Sequence, residues 1–414
     1  LGSISGAPVF SFSFHIFMEL ATATLQEVLV ADAVTQLPAL GNFFVPAKSL
    51  ELLAAKNATL RLRAPSGHVY SFTDLTSANG AVNFGHLNPA IEAPAEPASD
   101  IAAGFYPPAA ASYAAWLCGK LALDTHSVLY RVGKQAALSA VVAMAQRARP
   151  GKILTVAGSS HGACAGPVGV ASELHGDPVI AIEPGADFTD WEEVSCLLYE
   201  PIQTAAGYVP LPLPWLRSLS QSAQAAGVLV CADEADSGFY RFGQLSLAAS
   251  TFLYPDLYVF GKSMTNGVYP TFALVYPRSL IISDEGSSFQ ASSLGFSAAE
   301  AVARYIDAPD LSMASGLIAG SEIDARIAGV NRVLNQAGER LAANPALSAF
   351  HLAGPTLSLE VLDGRAGALV AACEANGVLI GQGGRRVRIA PPITIALDQL
   401  RQALTVLEKA ATAI

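Results

Sequence analysis

Two polar residues stand at positions where they could do chemistry together. Asp233 closes the apolar run Val228-Leu229-Val230-Cys231, and Lys262 follows a second such run, Asp256 to Phe260, inside the turn Gly261-Lys262-Ser263-Met264-Thr265-Asn266-Gly267. An acid and an amine are thus both delivered to strand ends. Pyridoxal phosphate chemistry uses that pair: a lysine to hold the aldehyde as a Schiff base, and a carboxylate to keep the ring nitrogen protonated so that the ring acts as an electron sink. The plain alternative is a solvated lysine in a hairpin and an aspartate capping a helix.

The surrounding chain has elements able to position such a pair. From about Ile101 to Pro277, β-type runs alternate with helix-length stretches, the pattern of an α/β fold whose mostly parallel central sheet is covered by helices on both faces. The clearest strands are Lys152 to Val156, Pro178 to Ile182, Cys196 to Tyr199, Val228 to Cys231 and Leu257 to Phe260, with helices over Ala136 to Arg147 and Trp215 to Ala225. In open sheets of this kind the ligand sits beyond the carboxyl ends of the strands, where Asp233 and Lys262 fall. After Pro309 the pattern becomes a long helix, Ile323 to Ala343, followed by strands Leu357 to Leu362 and Arg386 to Ile389 and helices Ala366 to Asn376 and Leu397 to Ala413. This is a smaller α+β unit. A hairpin of Leu60 to Leu62 and Val69 to Phe72 about the Pro65-Ser66-Gly67 turn is expected to join it, so that both termini build the smaller domain. The expected divisions are an N-terminal segment over 1–85, a large cofactor-binding domain over 86–315 and a C-terminal small domain over 316–414.

A chain of 414 residues with 52% hydrophobic and 14% charged residues has much of its surface committed to interior or interface. An obligate oligomer fits that balance. A net charge of −10, with no Lys/Arg-rich run, argues against nucleic acid and for small-molecule work. The five cysteines are widely spaced and form no CxxC pair, which favours a reducing cytoplasm over a disulfide frame or a zinc site. The apolar segment from Pro8 to Leu25 is interrupted by Ser11, Ser13, His15 and Glu19 and lacks a basic lead, so it is read as a packing or dimer contact and not as a signal or membrane span. A start at Leu1 instead of Met points to a domain cut from a larger biosynthetic protein. His68, His126, His175 and His351 are scattered without metal-ligand spacing, and no metal is expected.

Five further segments occur in a telling order. They are Asn83-Phe84-Gly85-His86-Leu87-Asn88-Pro89; Tyr199-Glu200-Pro201-Ile202-Gln203; Asp233-Glu234-Ala235-Asp236-Ser237-Gly238-Phe239-Tyr240-Arg241; Tyr254-Pro255-Asp256 with Gly261-Lys262, Gly267 and Pro270; and Arg388-Ile389-Ala390-Pro391-Pro392-Ile393-Thr394. Together they resemble the class III aminotransferases, a subgroup of the fold-type I pyridoxal phosphate enzymes, over about residues 65 to 414. The resemblance implies Lys262 as the Schiff-base lysine and Asp233 as the partner of the ring nitrogen. It also implies a homodimer with active sites at the interface, and ping-pong transfer of an amino group from an amino acid donor to an aldehyde, ketone or keto acid. Glu200, Arg241 and His86 are read as structural.

The chain departs from the family's pattern around that pair. Arg131-Val132-Gly133-Lys134-Gln135-Ala136 stands in place of the family's phosphate loop. Main-chain donors at Gly133, Lys134 and Gln135 are expected to survive the change, with Lys134 adding charge to the phosphate; a plain helix start is the alternative. Ser160 replaces the aromatic residue that stacks on the cofactor, so either another ring such as His161 covers that face or it is open to a bulky substrate. Ala235 takes a Val position on the opposite face. Ser288 is the candidate for the hydroxyl that reaches the partner subunit's cofactor phosphate, against a solvated loop serine. Arg388 is the candidate substrate clamp, since a guanidinium binds a carboxylate bidentately, against an ordinary paired strand arginine. The Gly-Lys-Ser-Met-Thr-Asn-Gly run also resembles the aminomutase-like branch. An aminomutase, racemase or decarboxylase is therefore a rival, as is a non-catalytic scaffold of the same fold.

Overall fold

The computed structural model describes residues 50–64, 66–92, 107–161, 173–174, 177–280, 291–307 and 323–414. At its centre is an eight-stranded sheet of β4 (His126–Val132), β5 (Lys152–Val156), β6 (Glu173–Leu174), β7 (Asp177–Ile182), β8 (Val194–Tyr199), β11 (Leu229–Glu234), β12 (Leu257–Phe260) and β13 (Thr271–Pro277), in the order β4-β13-β12-β11-β8-β5-β7-β6. Between β8 and β11 lies a small hairpin of β9 (Ile202–Gln203) and β10 (Val209–Pro210). The run β12-β11-β8-β5-β7 is parallel throughout, while β13 and β6 are reversed.

Side chains alternate across this sheet, as the strand period of two requires. Leu197, Tyr199, Val230, Ala232, Tyr258 and Phe260 pack in one core with α1 (Pro108–Leu121), α3 (Leu213–Ala225) and α4 (Ser293–Asp307). Cys196, Leu198, Cys231, Leu257 and Val259 pack in another, under α2 (Lys134–Ala148). Both faces of the sheet are therefore covered, which is why Cys196–Tyr199 of β8 and all of β12 read as unbroken apolar runs: every residue in the two strands is buried. Asp233 shares the face of Cys231 and so points to the side on which α2 begins.

A third core lies in the C-terminal unit, where α5 (Ile323–Leu341), α6 (Ala366–Ala375) and α7 (Leu397–Ala413) pack with a sheet ordered β14-β15-β18-β17. Its strands are β14 (Leu347–Ala353), β15 (Thr356–Val361), β17 (Gly381–Gly383) and β18 (Arg386–Ile389). The hairpin expected near the N-terminus belongs to a larger sheet of β1 (Glu51–Lys56), β2 (Thr59–Arg63) and β3 (Val69–Asp74), closed by β16 (Val378–Leu379), which pairs parallel with β3. Chain from both ends is thus woven together by backbone hydrogen bonds.

Two buried polar groups tie these parts to the central sheet. Ser77, Ala78 and Asn79 have φ of 50°, 50° and 56°, a left-handed turn that L-residues avoid. Asp74 holds it: Oδ1 accepts from the N–H of Thr76 at 2.7 Å and its hydroxyl at 2.6 Å, while Oδ2 accepts from the Ala78 N–H at 2.9 Å and from His86 Nε2 at 2.8 Å. Burial alone would raise the Asp74 carboxyl, but the bonds from His86, Thr76 and Ala78 bring it below its ordinary value. Arg241, also buried, donates Nη1 to the Ala390 carbonyl at 2.9 Å and Nη2 to Asn83 Oδ1, joining both chain ends to the loop after β11.

Arg241→Met leaves those acceptors unpaired and is expected to lower unfolding free energy by about 2–4 kcal/mol, read from urea titration. Asp74→Asn is expected to cost about 1–3 kcal/mol at neutral pH. Because the folded-state carboxyl is depressed, that contribution is present above the unfolded value of about 4 and lost as pH falls through the folded one. The gap between variant and native stability should therefore close on acidification.

Candidate active site

Asp233 and Lys262 leave neighbouring parallel strands: β11 and β12 pair with Asp233 opposite Val259 and Glu234 opposite Phe260. Gly261 and Lys262 then turn sharply, with Lys262 at φ 45°. A non-glycine residue held in this region signals backbone strain that its surroundings must support. The support is the left-handed turn: Lys262 Nζ donates to the Asn79 carbonyl at 3.2 Å and Ser263 Oγ to the Gly80 carbonyl at 2.8 Å. Gly261 has Phe272 directly against its Cα, where a β-carbon would run into the ring.

Asp233 is fully buried at its side chain. Its Oδ2 accepts from His161 Nδ1 at 2.8 Å and lies 3.0 Å from Lys134 Nζ, and its Oδ1 accepts from the Ala235 N–H at 3.2 Å. Thr155 Oγ1 is 2.9 Å from His161 Nε2. A ring that donates from Nδ1 can accept the threonine hydroxyl at Nε2, so both nitrogens are engaged. Burial would push the Asp233 carboxyl up, but the Lys134 ammonium and the His161 hydrogen bond hold it well below its usual range, as an anion.

Lys134 opens α2 after Gly133, whose φ of 87° suits glycine. Its ammonium does not point outward to an incoming anion. It donates to the Ser160 carbonyl at 3.0 Å and pairs with Asp233 and, at 3.2 Å, with Asp236 Oδ2. Burial disfavours its charge, yet Asp233, Asp236 and Glu200 together more than offset this and hold it protonated. Asp236 Oδ1 in turn pairs with Lys262 Nζ. Burial raises the Asp236 carboxyl less than the two lysines lower it.

Glu200 accepts from the Ser160 N–H at 2.8 Å and from Thr204 Oγ1 at 3.0 Å. Burial moves its carboxyl upward despite the nearby Lys134 charge. Beyond Thr204 stands Arg388 on β18, donating Nη1 to the Thr204 carbonyl at 2.9 Å and lying 5.3 Å over the Tyr208 ring. Its Nε is buried without an acceptor.

The structure thus brings together Lys262, Asp233, Lys134, Ser160, His161 and Ala235, with Gly133 and Gln135 at the helix start and Arg388 reaching in from the C-terminal unit. Three placements differ from expectation. The Gly133 N–H is given to the Pro270 carbonyl at 2.8 Å, so it does not serve an anion. Lys134 lies on the buried acids, which attract it more strongly than solvent does. His161 is fixed beside Asp233 by its two nitrogens, a hydrogen-bonded place the sequence did not indicate. Ser288 lies outside the described residues. Asp236, Thr204 and the carbonyls of Asn79 and Gly80 were not foreseen; an acid three residues past a strand-end acid was the available signal for Asp236. Among the described residues no group of three or more His, Cys, Asp or Glu is arranged to hold a metal.

An amine, an ionised carboxylate on the next strand and a helix start form a donor set suited to an aldehyde-bearing, phosphorylated pyridine. Comparisons with known proteins agree with it. Acetylornithine aminotransferase from Listeria innocua is 27% identical over 222 residues, 52% of this chain and 54% of that protein. The chain thus spans about half the length of that relative. Ornithine aminotransferase 2 from Staphylococcus aureus is 27% identical over 278 residues, 60% of this chain and 69% of that protein. In three dimensions the fold is similar to acetylornithine aminotransferase from Elizabethkingia anophelis, with TM-score 0.74, 20% identity and coverage of 90% and 96% of the two chains. It is also similar to ornithine aminotransferase from Toxoplasma gondii, at TM-score 0.72, 19% identity and coverage of 90% and 92%, in a structure with partial occupancy of PLP at that protein's active site. The model of the aminotransferase class-III family matches residues 182–411, more than half of the chain and inclusive of Asp233, Lys262 and Arg388, and the chain belongs to that family.

Proposed function

We propose that this chain is a pyridoxal 5′-phosphate-dependent aminotransferase that moves an amino group from an amino acid donor to a carbonyl acceptor. The observation that carries the proposal is the convergence of the Lys262 amine and the ionised Asp233 carboxylate at adjacent strand ends in one buried cluster. When bound, the cofactor supplies an electron sink for the pair released as the donor's Cα–H bond breaks.

The chain's own residues then divide the work. Lys262 Nζ would hold the aldehyde and, once released by the donor, would take the Cα proton and return it as acid. Asp233 keeps a proton on the ring nitrogen, and its anionic state is secured by His161. The α2 start at Lys134 and Gln135 would receive the phosphate, together with Ser288 supplied by the second subunit of a homodimer. Ser160 and Ala235 would lie on the two faces of the ring. Arg388, braced by Thr204 and Tyr208, receives the donor's carboxylate with its remaining N–H groups. A reducing cytoplasm suits the free Cys118, Cys196, Cys231 and Cys373, and among the described residues no helix is long and apolar enough to cross a membrane.

Adding the cofactor to purified protein should produce a visible absorbance band that bleaches with an amino donor and returns with a carbonyl acceptor. No band, or a reaction needing no acceptor, would sink the transaminase reading. Lys262→Ala should lose the band and slow amino transfer on the order of 10²–10⁴-fold; a persistent band would remove Lys262 from its role. Gly261→Ala should force Phe272 or the lysine turn aside, costing about 1–3 kcal/mol and weakening the band without removing the amine.

A further inference from the structure

Asp236 joins the two lysines of the site. Oδ1 pairs with Lys262 Nζ and Oδ2 with Lys134 Nζ at 3.2 Å, and the Asp236 side chain is 17% exposed. The groups facing this bridge come from several elements. Lys134 stands at the start of α2; Asp233 lies at the end of β11, with His161 on it; Glu200 follows β8; and the Arg241 guanidinium feels the Asp236 charge from the loop beyond. Among the described residues, Lys262 is held on its other side only by the neutral Asn79 carbonyl.

A carboxylate shared between two ammonium groups grips each less firmly than it would grip one, because the cations repel one another across it. We propose that Asp236 is a positioning residue for Lys262, that capture of the cofactor's aldehyde proceeds by opening the Asp236–Lys262 pair, and that Lys134, by sharing the same carboxylate, keeps that pair loose enough to open. This rests on Lys262 being the capturing amine. In the capture step the Nζ lone pair attacks the aldehyde carbon, a C=N bond replaces the C=O bond, and the aldehyde oxygen leaves as water with two of the three ammonium hydrogens. The third hydrogen and the positive charge stay on nitrogen. The proton that leaves Nζ as the pair opens passes to solvent, and one from solvent goes to the departing oxygen.

The test is the rate at which the visible band appears when cofactor-free protein is mixed with pyridoxal 5′-phosphate at one fixed pH, which needs no turnover. Asp236→Asn removes the grip on Lys262 and should speed capture roughly three- to tenfold. Lys134→Met leaves Asp236 to Lys262 alone and should slow capture by a similar factor. A purely structural role would move both variants the same way. An unchanged or slower Asp236→Asn, or an unchanged or faster Lys134→Met, overturns the inference, and either arm suffices if the other variant does not fold. Lys262→Ala run alongside separates the two failures: a band in that variant would instead sink the identification of the capturing amine.

Discussion

A carboxylate buried at the end of an interior strand has to be given a countercharge, and the Asp233 side chain, with no exposed surface, dictates its surroundings on that account. An isolated charge in such a place would neutralise itself, because desolvation disfavours the ionised form by several kcal/mol. Here a lysine from the first turn of α2 and a histidine backed by a threonine keep the acid ionised. The same lysine also pairs with Asp236, and Asp236 in turn pairs with Lys262. The sequence of acids and amines around the strand ends follows from that single requirement.

The acids that look alike in the sequence have separate duties. Glu234, next to Asp233, points to the other face of the sheet, where it accepts from the Leu247 N–H at 2.7 Å and the Ala248 N–H at 3.2 Å and so anchors a short helical turn. Burial pushes its carboxyl up to about 7 even with those bonds. Glu200 serves as a bracket, linking the Ser160 backbone to Thr204 and through Thr204 to Arg388. Strand alternation at β11 is enough to send two adjacent carboxylates into unrelated jobs.

The central sheet was legible because its inner strands are buried on both faces, which writes them as continuous apolar runs such as Leu257–Phe260. Edge strand β4 was harder: with His126, Ser127 and Arg131 among its seven residues and only Leu129 and Tyr130 buried, it has no such run. The acid and amine at the strand ends were legible from type and position together. What escaped was decided by contacts between residues far apart in the chain. Nothing local says that Lys134 reaches Asp236, 102 residues away, in preference to solvent or an anion. Nothing in Ser77-Ala78-Asn79 announces a left-handed turn either, since Asp74 and the docked lysine loop impose it.

That turn has a further consequence. The lysine loop is braced by carbonyls 183 residues earlier in the chain, and Arg388 is braced by a carbonyl 184 residues before it. Strands β8, β11, β12 and β13 lie side by side in their chain order, but the strained backbone at Lys262 can be held only after segments from both ends of the chain have docked. Contacts of such high contact order are slow to make. The turn that carries Lys262 therefore depends on segments far from it in the chain, and a central sheet formed without them would leave that lysine unbraced.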